Sequence, residues 1–123
     1  VVIKLPVAVD LSSIEINPSA ICADGQSAGL GSYTVETSSN GTDYTEVASG
    51  EFMKADDGHA NTLTLTPGPA LSDVSYIRVW NNSPKVLSDS AEYPDGCMVD
   101  PNGYSGCSYE DIAEVAVYGL ASP

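Results

Sequence analysis

The dominant signal along this chain is a period of two. The stretches "VVIKLPVAV", "SSIEI", "SYTVETS", "DYTEVAS", "NTLTLT", "VSYIRVW" and "IAEVAVYG" alternate apolar and polar residues or run apolar over strand lengths. Their Thr, Val, Ile and Tyr content suits a pleated, half-buried surface. Turn-formers fill the spaces between them, in "NPSAICADGQSAGLG", "SNGT", "TPGPALSD" and "NNSPKVLSDSAEYPDG". No window repeats apolar residues at helical spacing behind a cap, and "PALSDV" has room for a single turn. The pattern predicts an all-β domain of about seven or eight short antiparallel strands, a sandwich or barrel with little or no helix.

Two stretches fix faces as well as strands. In "SYTVETSSNGTDYTEVASG", Tyr33 and Val35 share one face, Asn40-Gly41 supplies the positive-φ residues of a tight hairpin, and Tyr44 and Val47 follow on the return strand. In "VSYIRVW", Ile77 and Val79 point one way and Tyr76, Arg78 and Trp80 the other. Trp80 is read as core or sheet cover, with a ligand platform as the alternative.

Composition narrows the partners. The 123 residues suffice for one domain spanning 1–123. Seventeen acidic side chains face only Lys4, Lys54, Arg78 and Lys85, a net charge of -13. Such a chain repels phosphate, which argues against nucleic acid and anionic membranes as partners. It leaves neutral ligands and divalent cations, or a charge that only keeps the protein dissolved. The chain starts at Val1 and shows neither a signal-peptide pattern nor an apolar run of membrane length, so it is expected to be a mature or excised piece of a larger protein. Of three cysteines, Cys97 and Cys107 flank the turn-rich "GCMVDPNGYSGC" and form the best disulfide pair, leaving Cys22 over. A bridge implies a secreted or cell-surface protein, whereas a reduced set of thiols is the alternative.

The segment from Asn81 to Glu110 lacks periodicity and is too long for a passive connection. It carries Tyr93, Tyr104 and Tyr109, beside Asn81 and the carboxylates Asp89, Glu92, Asp95, Asp100 and Glu110. Aromatic rings beside amides and carboxylates suit sugar binding: a ring packs on the apolar face of a pyranose while polar groups take its hydroxyls. Tyr93, Tyr104, Tyr109, Asn81 and Asp95 are therefore the candidate ligand residues. The competing reading is that the tyrosines pack the segment onto the domain.

Catalytic motifs fare worse. "GQSAG" has the Gly-x-Ser-x-Gly spacing of a nucleophile elbow at Ser27, but a strand-like run follows it where a helix is required, and His59 is the sole candidate base. "DDGH" at 56–59 lacks calcium-loop spacing and reads as a polar turn. Asn40-Gly41-Thr42 and Asn81-Asn82-Ser83 fit the glycosylation sequon. No enzyme activity is expected.

Three stretches together resemble one family. "YTVETSSNGTDYTEV" is similar to the Y-x-[VI]-E-x-S-x-D-G-x-x-W-x-x-V signature of the coagulation factor 5/8 type C (discoidin) domains and related galactose-binding-like carbohydrate modules. Tyr33, Val35, Ser38, Gly41 and Val47 match, while Asn40 and Tyr44 replace the usual Asp and Trp. "SYIRVW" resembles the family's R-Y-[VI]-R-[LV] strand, and "IAEVAVYG" its closing strand, through Ile112, Glu114, Val117, Tyr118 and Gly119. The resemblance implies an antiparallel jelly-roll β-sandwich, here without the usual N-terminal strand, and a structural calcium site (Ca2+) to which Glu114 would contribute. It further implies a non-catalytic carbohydrate-binding or adhesion module recognising galactose-type or other neutral glycans beside neighbouring domains of a parent protein. A structural spacer or docking domain of a secreted enzyme is the alternative.

Overall fold

A computed structural model describes residues 1–18, 29–85 and 112–123. The described elements are six strands and two single 3₁₀ turns: β1 (Val2–Asn17), β2 (Ser32–Ser38), β3 (Thr45–Glu51), β4 (Asn61–Thr62), β5 (Val74–Asn81) and β6 (Glu114–Ala121), with turns at Lys54–Asp56 and Pro69–Leu71. Every pairing is antiparallel, so the chain is all-β as the alternation predicts. The neighbour order is β3-β2-β5-β1-β4, with β6 also on β1.

The two N-terminal stretches are one strand and not two. β1 runs 16 residues, with Val2, Ile3, Lys4 and Val9 paired to β5 and Val9 to Asn17 paired to β6. At Glu15 it faces Thr62 of β4 and Ala116 of β6 together. Its register with β5 shifts between Lys4 and Val9, around Pro6, which has no N–H to give the ladder. A second shift against β6 falls between Leu11 and Ser13. Such irregularities bend a strand and sharpen its twist, which lets one strand serve several partners. "NTLTLT" is corrected more sharply, since only Asn61–Thr62 joins the ladder. Leu63 N–H still donates to the Ile14 carbonyl, but Thr66 N–H donates to Val47, so the segment crosses from β1 to β3. Its alternation serves burial, with Leu63 in the core and Leu65 against it.

The core lies on one face of the curled sheet. Ile14, Ile16, Val35, Val47, Ile77 and Val79 are fully buried, each contributing about 1.5–3 kcal/mol relative to exposure. Tyr33 stacks on Phe52 with centroids 4.6 Å apart. The β2–β3 hairpin forms where expected, but its six-residue loop (39–44) holds Tyr44 ahead of β3, and of Asn40-Gly41 only Gly41 has positive φ, at 79°. The buried Ser38 hydroxyl accepts from the N–H groups of Asn40 and Gly41, and Asn40 Oδ1 accepts from those of Thr42 and Asp43. A Cβ on Gly41 would also lie 3.0 Å from the Tyr76 ring, so glycine is required there twice over. Gly119 is constrained differently: a Cβ would come within 2.6 Å of the Asp10 carbonyl oxygen across the β1–β6 ladder.

One end of the fold is held by a buried ion pair. Lys85 is fully buried, and its Nζ donates to Asp57 Oδ1 and to the Pro18 carbonyl, while its backbone N–H donates to Gly29. Leu30 bridges to Pro84, and Ala113 N–H donates to Asn17. Residues 17–18, 29–30, 84–85 and 113, from distant parts of the sequence, are thereby tied to a common end. Removing one member of a buried ion pair strands the other charge in a medium that solvates it poorly. Lys85→Met should therefore cost about 3–5 kcal/mol in urea unfolding. Asp57→Asn should cost a similar amount, and the double variant much less than the sum.

Candidate functional site

The expected ligand residues divide. Tyr93, Tyr104, Tyr109, Asp95, Cys97 and Cys107, together with Ser27 and Cys22, lie outside the described residues. Asn81 closes β5 opposite Tyr33, and its buried Oδ1 has no hydrogen-bond partner among the described residues. Glu114 opens β6, exposed and paired in register with Asn17. Among the described residues no group of three or more His, Cys, Asp or Glu side chains could hold a metal ion.

The best-built surface cluster lies on the outward face of β2 and β5. Register places Glu36 opposite Arg78 and Thr34 opposite Trp80. Glu36 Oε2 accepts from Arg78 Nε at 2.6 Å and from the Trp80 indole N–H at 2.7 Å. The Arg78 guanidinium lies 3.8 Å from the centroid of Tyr44 and 4.9 Å from that of Trp80, so one cation stacks on two rings. Trp80 remains 48% exposed, which places it on the solvent side of the sheet and not in the core. Asn82 Nδ2 donates to Thr34 Oγ1 beside it. The sequence separated Arg78 and Trp80 from the core positions. Glu36 and Tyr44 were missed as their partners because β2 lies against β5, a pairing between strands that are not consecutive in sequence.

A polar depression of about 280 Å³ opens beside the hairpin loop, lined by Thr37, Ser38, Asn40, Asp43 and Ser72. Its polar groups are largely committed: Ser38 and Asn40 hold the loop, Asn40 Nδ2 donates to Asp43, and the Thr37 hydroxyl donates to the Ala70 carbonyl. "DDGH" is a turn as expected, though not a merely solvated one. Asp56 accepts from Met53 N–H, Asp57 takes Lys85, and the His59 ring lies between the Ala55 and Ala60 carbonyls at 3.2 Å each.

Two titrations follow from these contacts. The Arg78 hydrogen bond holds the Glu36 carboxyl below its usual range, helped by Trp80 and opposed by partial burial. A lowered carboxylate contributes stability above its unfolded value, and that stability is lost as pH falls through the folded one. Glu36→Gln should cost about 1 kcal/mol in urea unfolding at neutral pH, with the gap closing in acid. The carbonyls of Ala60 and Ala55 favour protonated His59 and raise its pKa. NMR titration of this single histidine should place its midpoint above that of an unstructured peptide. The sign is opposite to Glu36: its small stabilisation is present below the unfolded value and fades as pH rises through the folded one.

No family model matches the chain, and no curated protein matches it. Among solved structures its fold is similar to part of a glycoside hydrolase 29 family member from an unknown rumen bacterium, with a TM-score of 0.61 and 13% identity. The match covers 96% of this chain and 17% of that chain, so this chain spans a small part of that protein's length.

Proposed function

We propose that the chain is a non-catalytic carbohydrate-binding module of a larger secreted or cell-surface protein, a discoidin-like jelly-roll domain that recognises neutral or galactose-type glycans. The observation that carries this reading is the extent of the structural likeness. Nearly the whole chain, 96% of it, matches a segment amounting to 17% of a glycoside hydrolase family member. A small domain inside a much longer carbohydrate-active protein is the expected relation of an accessory module to its enzyme. Fold alone is a weak warrant for function, so the residues must bear it out.

They support it at the signature positions. Ser38 and Gly41 build the hairpin loop, Gly119 permits the close approach of β6 to β1, and Tyr33, Val35 and Val47 are core. Each of these six residues performs a structural task in the fold. The net charge of -13 favours a neutral ligand over an anionic one. Tyr93, Tyr104 and Tyr109, with Asn81 and Asp95, have the side-chain chemistry to receive it.

Glycan-array screening and affinity electrophoresis on soluble polysaccharides test the reading. Weak retention by a neutral or galactose-containing glycan is expected, with no release of reducing sugar. Replacing Tyr93, Tyr104 and Tyr109 together by Ala should reduce retention. An array on which the folded wild-type protein binds nothing would refute the reading in favour of a spacer or docking domain.

A further inference from the structure

The outward face of β5 brings basic, aromatic and acidic side chains together. Lys4 and Arg78, two of only four basic residues, lie here on adjacent strands, with Lys4 opposite Tyr76 and Val2 opposite Arg78. Across the other ladder Arg78 faces Glu36, which in turn faces Glu46 on β3. Among the described residues paired across these ladders, Lys4 and Arg78 balance Glu36 and Glu46, a neutral set on a chain of net charge -13.

Within that neutral patch Trp80 is both exposed and fixed. Its indole N–H donates to Glu36, and the same oxygen anchors Arg78, so the ring is positioned by one cross-strand hydrogen bond and by the guanidinium stacked on it. A ring fixed in advance loses little rotamer freedom when a ligand stacks on it. Around it lie groups of the other kind a sugar requires. The exposed Asn82 amide and the Thr34 hydroxyl are adjacent, and the terminal amino groups of Arg78 have no partner among the described residues. Apolar area without polar neighbours would suit a protein core, and polar groups without a ring would suit water. A half-exposed ring and donors together on the outward sheet face suit a pyranose, whose C–H face stacks while its rim of hydroxyls hydrogen-bonds.

We infer that Trp80, framed by Arg78, Tyr44, Thr34 and Asn82, is a sheet-face binding site for a neutral polysaccharide chain, built from residues other than Tyr93, Tyr104 and Tyr109. The inference rests on the glycan-binding reading above and gives it a second site. A ring half-exposed on a sheet face can stack on sugar units within a chain as well as at its end.

Trp80 is the sole tryptophan in the sequence, so intrinsic emission reports this site alone. Titration of the wild-type protein with soluble galactan should shift Trp80 emission to the blue with saturation. In affinity electrophoresis on the same galactan, Trp80→Ala should be retained about tenfold more weakly, the loss expected for one stacking ring. Trp80→Phe should recover part of it, and an unchanged circular dichroism spectrum should show both variants folded. Galactan retention with unchanged Trp80 emission and unaltered binding by Trp80→Ala would overturn the sheet-face site and leave the glycan-binding reading standing. No retention of the folded wild type by galactan or by any glycan of the array would overturn both.

Discussion

The structure depends on one backbone constraint: β1 must satisfy three partners along a single strand. Its N–H and C=O groups are shared between β5 over the first half and β6 over the second, with β4 added at Glu15 and Ile16. Buried backbone groups left unpaired are costly, so this arrangement leaves little choice in where the other strands lie. β5 held to the start of β1 brings β2 and β3 behind it, and β6 held to the end closes the opposite side. The irregularities near Pro6 and Ser12 are what make the sharing feasible, because a straight, regular strand could not turn from one set of partners to the next. The Gly119 position is the tightest expression of the same constraint, with backbone where a side chain would otherwise stand.

The side-chain cluster on the outward face follows from that placement. Setting β2 beside β5 aligns Glu36 with Arg78 and Thr34 with Trp80. The alternation that buries Val35, Ile77 and Val79 obliges these four to point outward. A carboxylate shared by an arginine and an indole then turns an exposed aromatic from a mobile side chain into a fixed surface. Charge pairing inside the network neutralises a small patch of a strongly acidic protein. The Lys85–Asp57 pair serves a different end, holding distant parts of the chain together.

Much of the fold was legible in the sequence because period-two alternation is a local signal. β2, β3, β5 and β6, the hairpin at Gly41 and the single turn at 69–71 all stand where the pattern sets them. What was not legible depends on pairing between distant strands. Pro6 and the stretch Asp10-Leu11-Ser12-Ser13 look like a break, yet β1 runs through them, held by β5 before Pro6 and by β6 from Val9 onward. "NTLTLT" looks like a strand, yet its leucines are buried by a crossing segment that leaves the ladder after Thr62. The outward position of Arg78 and Trp80 could be read from alternation, but their link to Glu36 could not, since forty residues' worth of intervening hairpin and loops hides it. Lys85 carried no sequence signal at all; a lysine beside Pro84 reads as surface until its partner is seen.

The central claim is that Trp80 stands fixed and open on the sheet face, and acrylamide quenching of its fluorescence in the free protein tests this most directly. The account predicts red-shifted emission that acrylamide quenches readily, together with high steady-state anisotropy from a ring held by Glu36. In Glu36→Gln the anisotropy should fall while quenching persists. Blue-shifted emission shielded from acrylamide in the free protein would contradict the account, because it would place the indole beneath other parts of the chain and leave no platform to bind a glycan.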